Sequence, residues 1–348
     1  MLVSHAKSLL KQFASPVFDR FGLYDRRLRR SLPASSWTIV MYHRVIERRE
    51  DDPFALGMCV TRKHFDDQLR YFKRSFSPIG MSEAVRRLAR GEPLPDRALS
   101  ITFDDGYLDN LTVALPVLQT HQLNAALFVP TGGLDQDEPL WWDRVIHALD
   151  ATDQHDILPT DFGIPLPPRR LSLRGWSRKE TVTRMLNALW TLPISQALTA
   201  VTRLERHLPP RRSVAPVARR MAARQVLEMH RAGMEIGAHS VRHPNLTLES
   251  PLIVREEMKT SRAALEALCD APINGFAYPA GWKNADAEAA AREVGFDYAV
   301  GTTRGVNDRS RLDPFTLARV GMPDTGVSDL KRALTTVTPL QDLADAHA

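Results

Sequence analysis

The sequence predicts an α/β fold on parallel strands, either an open parallel sheet or an α/β barrel. Three observations carry this. The chain has 348 residues, 43% hydrophobic and 25% charged, an ordinary globular composition that suits one large domain or two small ones and excludes a disordered or fibrous protein. Short apolar runs alternate with segments whose apolar residues recur at helical spacing, the pattern that calls for parallel strands joined by helices. The residues able to do chemistry follow directly after strand candidates, where such folds assemble their sites.

Along the chain, residues 1–30 place Leu9, Leu10, Phe13, Val17, Phe18 and Phe21 near helical spacing, broken at Pro16. They carry seven Lys/Arg against Asp19 and Asp25, a net +5 that equals the charge of the whole chain. This basic amphipathic segment could lie on an anionic membrane surface or pack as an arm on the body. Trp37 to Tyr42 is an apolar run read as a buried strand that ends at His43. Phe65, Leu69 and Phe72 mark a helix, Met81 to Arg90 a second, and Gly91-Glu92-Pro93-Leu94-Pro95 a turn. Ala98 to Phe103 is the next strand, followed by a helix over Leu111 to His121 and a strand over Ala125 to Val129. After a break, a helix ends near Arg231 and Met234 to Ala238 is a strand. Then come helix Arg255 to Leu268, strand Gly275 to Tyr278, helix Asp286 to Glu293, strand Tyr298 to Gly301 and a last strand over Phe315 to Val320.

Residues 135–224 interrupt the alternation. They hold Trp141-Trp142-Asp143, a loop with Pro165, Pro167 and Pro168, and helical patterns around Met185 to Leu192 and Ala197 to Leu204, with no strand expected. Residues 169–224 carry thirteen Lys/Arg against Glu180 and Glu205. Two basic stretches on an acidic body argue against a nucleic-acid-binding core; they suit either local contacts with phospholipid or a phosphorylated carrier, or a solvated Arg-rich surface. With only Cys59 and Cys269, the fold depends on no disulfide framework or Cys-rich zinc site. No run reaches the roughly 18 apolar residues of a membrane span, and residues 1–30 lack the features of a signal peptide. The expectation is a cytoplasmic protein, peripheral at the inner membrane face if the basic segment binds lipid.

Thr102-Phe103-Asp104-Asp105-Gly106 puts two adjacent carboxylates where a strand gives way to a glycine turn. Like charges that close repel unless a cation or a proton separates their roles. His239-Ser240-Val241-Arg242-His243-Pro244 follows another strand, and a helical turn there would set both imidazoles on one side to share a metal ion. One carboxylate and two imidazoles leave a coordination position open, the composition of a catalytic divalent-metal site. The second carboxylate is then free to act as general base, which together describes metal-assisted hydrolysis.

These two segments resemble the first and second motifs of the polysaccharide deacetylase family, the carbohydrate esterase group with the NodB homology domain. Phe276-Ala277-Tyr278-Pro279-Ala280-Gly281 is similar to its third motif. The resemblance covers roughly residues 37–134 and 225–323. It implies a distorted (β/α) barrel of about seven strands, one Zn²⁺-type divalent metal held by Asp105, His239 and His243, Asp104 as base, and removal of an acetyl group from an N-acetylated sugar. The chain would then divide into the basic segment 1–30, a barrel over 31–134 and 225–330, a basic helical insertion over 135–224, and a tail, 331–348.

Two positions depart from the family pattern. Ala277 stands where an Arg usually orients the base, and Leu317-Ala318-Arg319 stands where a Leu-x-His usually supplies the acid. Met41-Tyr42-His43 resembles a subgroup that opens with a Tyr-His strand, which makes His43 the expected general acid. Tyr278, Pro279, Ala280 and Trp282 are the expected substrate contacts, with a backbone N–H near Ala280 facing the oxyanion, whereas Trp141 and Trp142 read as insertion core. The expected partner is an N-acetylated sugar polymer or a lipid-linked glycan. A hydrolase of another amide or ester on the same barrel, or a non-catalytic sugar-binding protein, are the competing readings.

Overall fold

The computed structural model describes residues 24, 26, 34–52, 58–136, 138–175, 177–209, 218–309 and 312–335. Nearly all of the basic segment 1–30, and residues 336–348 of the tail, lie outside the described residues.

Seven parallel strands form the centre: Ser36–Tyr42, Ala98–Phe103, Ala126–Val129, Glu235–Ala238, Gly275–Ala277, Tyr298–Arg304 and Leu317–Gly321. They stand side by side in chain order. The first pairs with both the second and the last, which closes the sheet into a barrel and decides against an open sheet. Six consecutive rungs, Trp37↔Ala98 to Tyr42↔Phe103, fix the register of the first pair. Because helices cover the outside and side chains fill the inside, these strands read as mostly apolar runs without a regular in/out alternation; all six residues of Ala98–Phe103 are buried, Ser100 and Thr102 among them. Short antiparallel pairing of Asn307–Asp308 extends the sheet beside the first strand.

The helices match their spacing. Arg62–Ser75 turns Phe65, Leu69 and Phe72 into the core, each burial stabilising by about 1.5–3 kcal/mol. Ser250 and Asn284 accept backbone N–H bonds from Ile253 and Ala287 at the starts of helices Pro251–Cys269 and Ala285–Val294, with Pro251 at the first helical position.

Between the third and fourth barrel strands lie helices Trp141–Ala151, Ser177–Leu189 and Ile194–His207, which pack an apolar cluster separate from that of the barrel. The expectation of no strand in this region is corrected: Asp156–Ile157 and Leu171–Ser172 form a small antiparallel ribbon. Two-residue strands flanking a Pro-rich loop are too short to leave an alternation signature. Some of the basic residues here are paired, Arg178 with Asp150 and Arg170 with Asp156. Among the described residues no helix is long and apolar enough to cross a membrane.

Candidate active site

Barrel register brings the motif residues together. Tyr42 pairs with Phe103, and the Asp104 N–H donates to the Tyr42 carbonyl at 3.0 Å, so His43 and Asp104 leave adjacent strands at the same level. Across the barrel mouth the His239 N–H donates to the Val129 carbonyl at 3.2 Å. All lie at the C-terminal ends of the strands, where loops assemble sites.

Asp105, His239 and His243 offer ligand atoms within 4.8 Å of one another, and all three are buried. The two Nε2 atoms are 3.1 Å apart, and each lies 3.5 Å from Asp105 Oδ1. His239 Nδ1 is 2.7 Å from the Ala277 carbonyl, which takes the proton there and leaves the Nε2 lone pair facing the cluster. Burial, then the neighbouring His239, push the His243 ring down to about 3, so it stays neutral. Burial opposes ionisation of Asp105, but the His239 contact and the His43 and His243 rings bring it down to about 2. Two lone pairs and a carboxylate converging on one buried point repel unless a cation lies among them, so this donor set fits a divalent metal with an open position.

Backbone strain gathers here. Asp105 and His243 sit at φ +73° and +57°, and Ser240 at +63°. The expectation that the two histidines share a helical turn is corrected. Residues 239–243 form bends in which Ser240 and His243 are both left-handed, and the Ser240 hydroxyl accepts from the His243 N–H at 3.0 Å.

Asp104 is clamped by Arg319, whose Nη1 and Nη2 donate to its two carboxylate oxygens at 2.7 and 2.6 Å. Both residues are buried, and Arg319 is itself fixed by the Gly301 carbonyl at 2.7 Å and the Thr102 hydroxyl at 3.2 Å. Burial opposes ionisation of Asp104, but the charge and hydrogen bonds of Arg319 outweigh it and hold the carboxyl below the usual range. Arg319 had read only as the position where an acid was missing. In the fold it reaches Asp104 from a strand on the other side of the first.

His43 is half-buried and faces a hollow of about 260 Å³ lined by Met41, Met58, Val60, Met322 and Pro323. It follows directly on the strand that pairs with the one leading to Asp104 and Asp105, which places it beside the pair.

The third-motif residues divide. Tyr278 has no exposed surface, and its hydroxyl donates to the Phe315 carbonyl at 3.1 Å, so its side chain serves the core and does not face substrate. Pro279, Ala280 and Gly281 form a tight turn with Ala280 at φ +50° and Gly281 at +75°. A Cβ at Gly281 would come within 1.9 Å of Thr302 Oγ1, so only glycine fits. Trp282 is half-buried, its ring 4.9 Å from that of Trp190. Trp190, which drew no attention in the sequence, also contacts His243 at 5.4 Å. Trp141 and Trp142 are buried in the insertion core as expected, yet Trp142 also lies 4.5 Å from the His243 ring. A chain of hydrogen bonds runs from Trp142 Nε1 to the Tyr107 hydroxyl (2.9 Å) and from there to Asp143 (3.1 Å). Burial and the nearby charge of Asp105 push Asp143 up to about 8.

The sequence profile of the Polysaccharide deacetylase family matches residues 91–158 and 174–299, more than half of the chain. The chain belongs to the polysaccharide deacetylase family. The match takes in parts of the insertion beyond residue 134, where the motif resemblance had stopped, and leaves out both His43 and Arg319. A poly-beta-1,6-N-acetyl-D-glucosamine N-deacetylase of Escherichia coli K12 is 28% identical over 101 residues, 29% of this chain and only 14% of that protein. Among solved structures the fold is shared with Streptococcus pyogenes deacetylase PplD in complex with acetate, at 19% identity and TM-score 0.59 over 86% of this chain and 98% of that one. It is shared too with IcaB from Ammonifex degensii, at 17% identity and TM-score 0.54 over 87% and 97% of the two chains.

Proposed function

We propose that this chain is a metal-dependent N-deacetylase that hydrolyses the acetamide of an N-acetylated sugar in a polymer or lipid-linked glycan. The observation that carries the reading is an ionised, Arg-clamped carboxylate, Asp104, next to the Asp105, His239 and His243 donor set. A divalent ion of the Zn²⁺ type held by those three residues would supply Lewis-acid polarisation of the amide carbonyl and lower the pKa of a water. Asp104 takes the proton of the attacking water, and Arg319 keeps its oxygens aimed and deprotonated. A backbone N–H of the Pro279–Gly281 turn faces the developing oxyanion. His43 donates a proton to the departing amine nitrogen, which is a poor leaving group without it. Trp282, with Trp190 beside it, offers aromatic surface to a sugar ring at the rim. The names of the E. coli relative and of the PplD structure support the reaction class.

The test is release of free acetate from N-acetylglucosamine oligomers and lipid-linked N-acetyl sugars by the metal-loaded protein. No acetate from either would remove the proposal. In the same assay His43→Ala is expected to slow amide cleavage about 10²–10⁴-fold and to spare an activated acetate ester, whose leaving group needs no proton. Equal losses on both substrates would take the acid role away from His43.

The charge of residues 1–30 supports a peripheral location on an anionic inner membrane face. Full-length protein should sediment with acidic liposomes at low salt and lose this binding when salt is raised or residues 1–30 are removed. Equal sedimentation with and without the segment counts against it.

A further inference from the structure

The second metal-ligand motif is not shaped by its own Ser240–His243 hydrogen bond alone. Its five residues fold into left-handed bends, and left-handed backbone costs energy at Ser240 and His243, neither of which is glycine. Something outside the loop must hold it. Glu257, on the helix Pro251–Cys269, does so with a side chain that is 2% exposed. Its Oε2 accepts from the backbone N–H groups of both Val241 and Arg242 at 2.8 Å, and its Oε1 accepts from Arg242 Nε at 2.6 Å. A buried carboxylate spending one oxygen on two successive backbone N–H groups forms a strong, charge-assisted anchor, and Arg242 supplies the opposite charge that burial demands.

The anchored residues lie between the two histidines. The anchor therefore sets how far His243 reaches back toward His239, and with it the 3.1 Å spacing of the two Nε2 atoms and their common 3.5 Å distance to Asp105 Oδ1. In a helix the backbone ladder would place residues i and i+4 on one face; here a side chain from another element replaces that ladder.

We propose that Glu257 is a positioning residue for the metal site: it preorganises the His239–His243 loop, so that its loss weakens metal binding before it unfolds the barrel. The proposal rests on the metal reading of the Asp105, His239 and His243 cluster. A wild-type protein with no affinity for Zn²⁺ would remove that reading, an outcome distinct from a Glu257 variant that binds as wild type does.

The experiment measures the Zn²⁺ dissociation constant of full-length wild-type, Glu257→Gln, Glu257→Ala and Arg242→Ala proteins by chelator competition, with circular dichroism and thermal melting of each metal-free form. Glu257→Gln keeps the shape but cannot accept from both backbone groups and from Arg242 Nε with the same strength. Both Glu257 variants are expected to bind Zn²⁺ about 10–100-fold more weakly, the usual range for losing an outer-sphere partner, while the metal-free spectra stay those of a folded barrel. Arg242→Ala leaves the backbone anchor in place and should move affinity less than either. Wild-type affinity in Glu257→Gln and Glu257→Ala overturns the proposal. So does loss of metal that appears only together with loss of the folded spectrum, since Glu257 would then serve the fold alone.

Discussion

Asn in place of Asp104 is expected to cut acetate release about 10²–10⁴-fold while the metal content stays at the wild-type level, because the substitution removes basicity and spares all three metal donors. The shape is kept, but the pairing is not. In the wild type both carboxylate oxygens accept from Arg319, at 2.7 and 2.6 Å. The Asn amide group would point a donor at a donor, so some loss of thermal stability should accompany the kinetic one, on the order of 1–3 kcal/mol for a buried group left unsatisfied. Single-turnover rates, metal analysis and melting on the same preparations separate the effects. A variant that turns over at the wild-type rate would mean that another group activates the water.

Arg319→Met should be the most destabilising single change at the site. It leaves Asp104 buried and unpaired in the barrel, and breaking a buried pair in this way costs about 3–5 kcal/mol. The sign of the pH dependence also changes. In the wild type the folded state holds Asp104 below its ordinary value, so the stability it contributes is present above the ordinary carboxylate range and is lost as pH falls through the depressed value. Without the guanidinium, burial, the largest influence, is opposed only by the weaker pull of the His239 and His43 rings, and the carboxyl is expected to move above its unfolded value. The variant should then be most stable in acid and lose stability as pH rises from the ordinary carboxylate value toward neutrality. Its acidic limb of kcat/KM should shift to higher pH, since the base must be ionised to work. Thermal melts from pH 4 to 8 and a pH–rate profile check both; unchanged slopes would deny Arg319 its role. Lys at this position restores a charge but not the two parallel N–H bonds, so a partial rescue of stability with a smaller rescue of rate is expected.

The sequence by itself determined the seven strands, because strands buried on both faces are built mostly from apolar and β-branched residues and leave short runs of them in plain view, as at Ala98–Phe103, where only Ser100 and Thr102 are polar. It also pointed to where Asp104, Asp105, His239 and His243 would gather, since they follow directly on such runs and the end of a parallel strand is where a side chain can face a mouth. Even the absence of an Arg at Ala277 could be read. The residue that pairs with Asp104 could not: Arg319 lies 215 residues from Asp104, and only barrel closure, through the first strand lying between the strands that carry them, makes the two neighbours. Glu257 shows the same limit at shorter range. Two histidines four apart suggest a helix, and nothing in their spacing reveals that the loop is left-handed or that a carboxylate on the next helix holds it. Trp190, Trp282 and His243 likewise meet only because the insertion folds back onto the mouth. Local pattern records which faces must be hidden from water and which residue types end a strand. It does not record which charge will stand opposite which, because that pairing is a property of packed elements and not of neighbours in the chain.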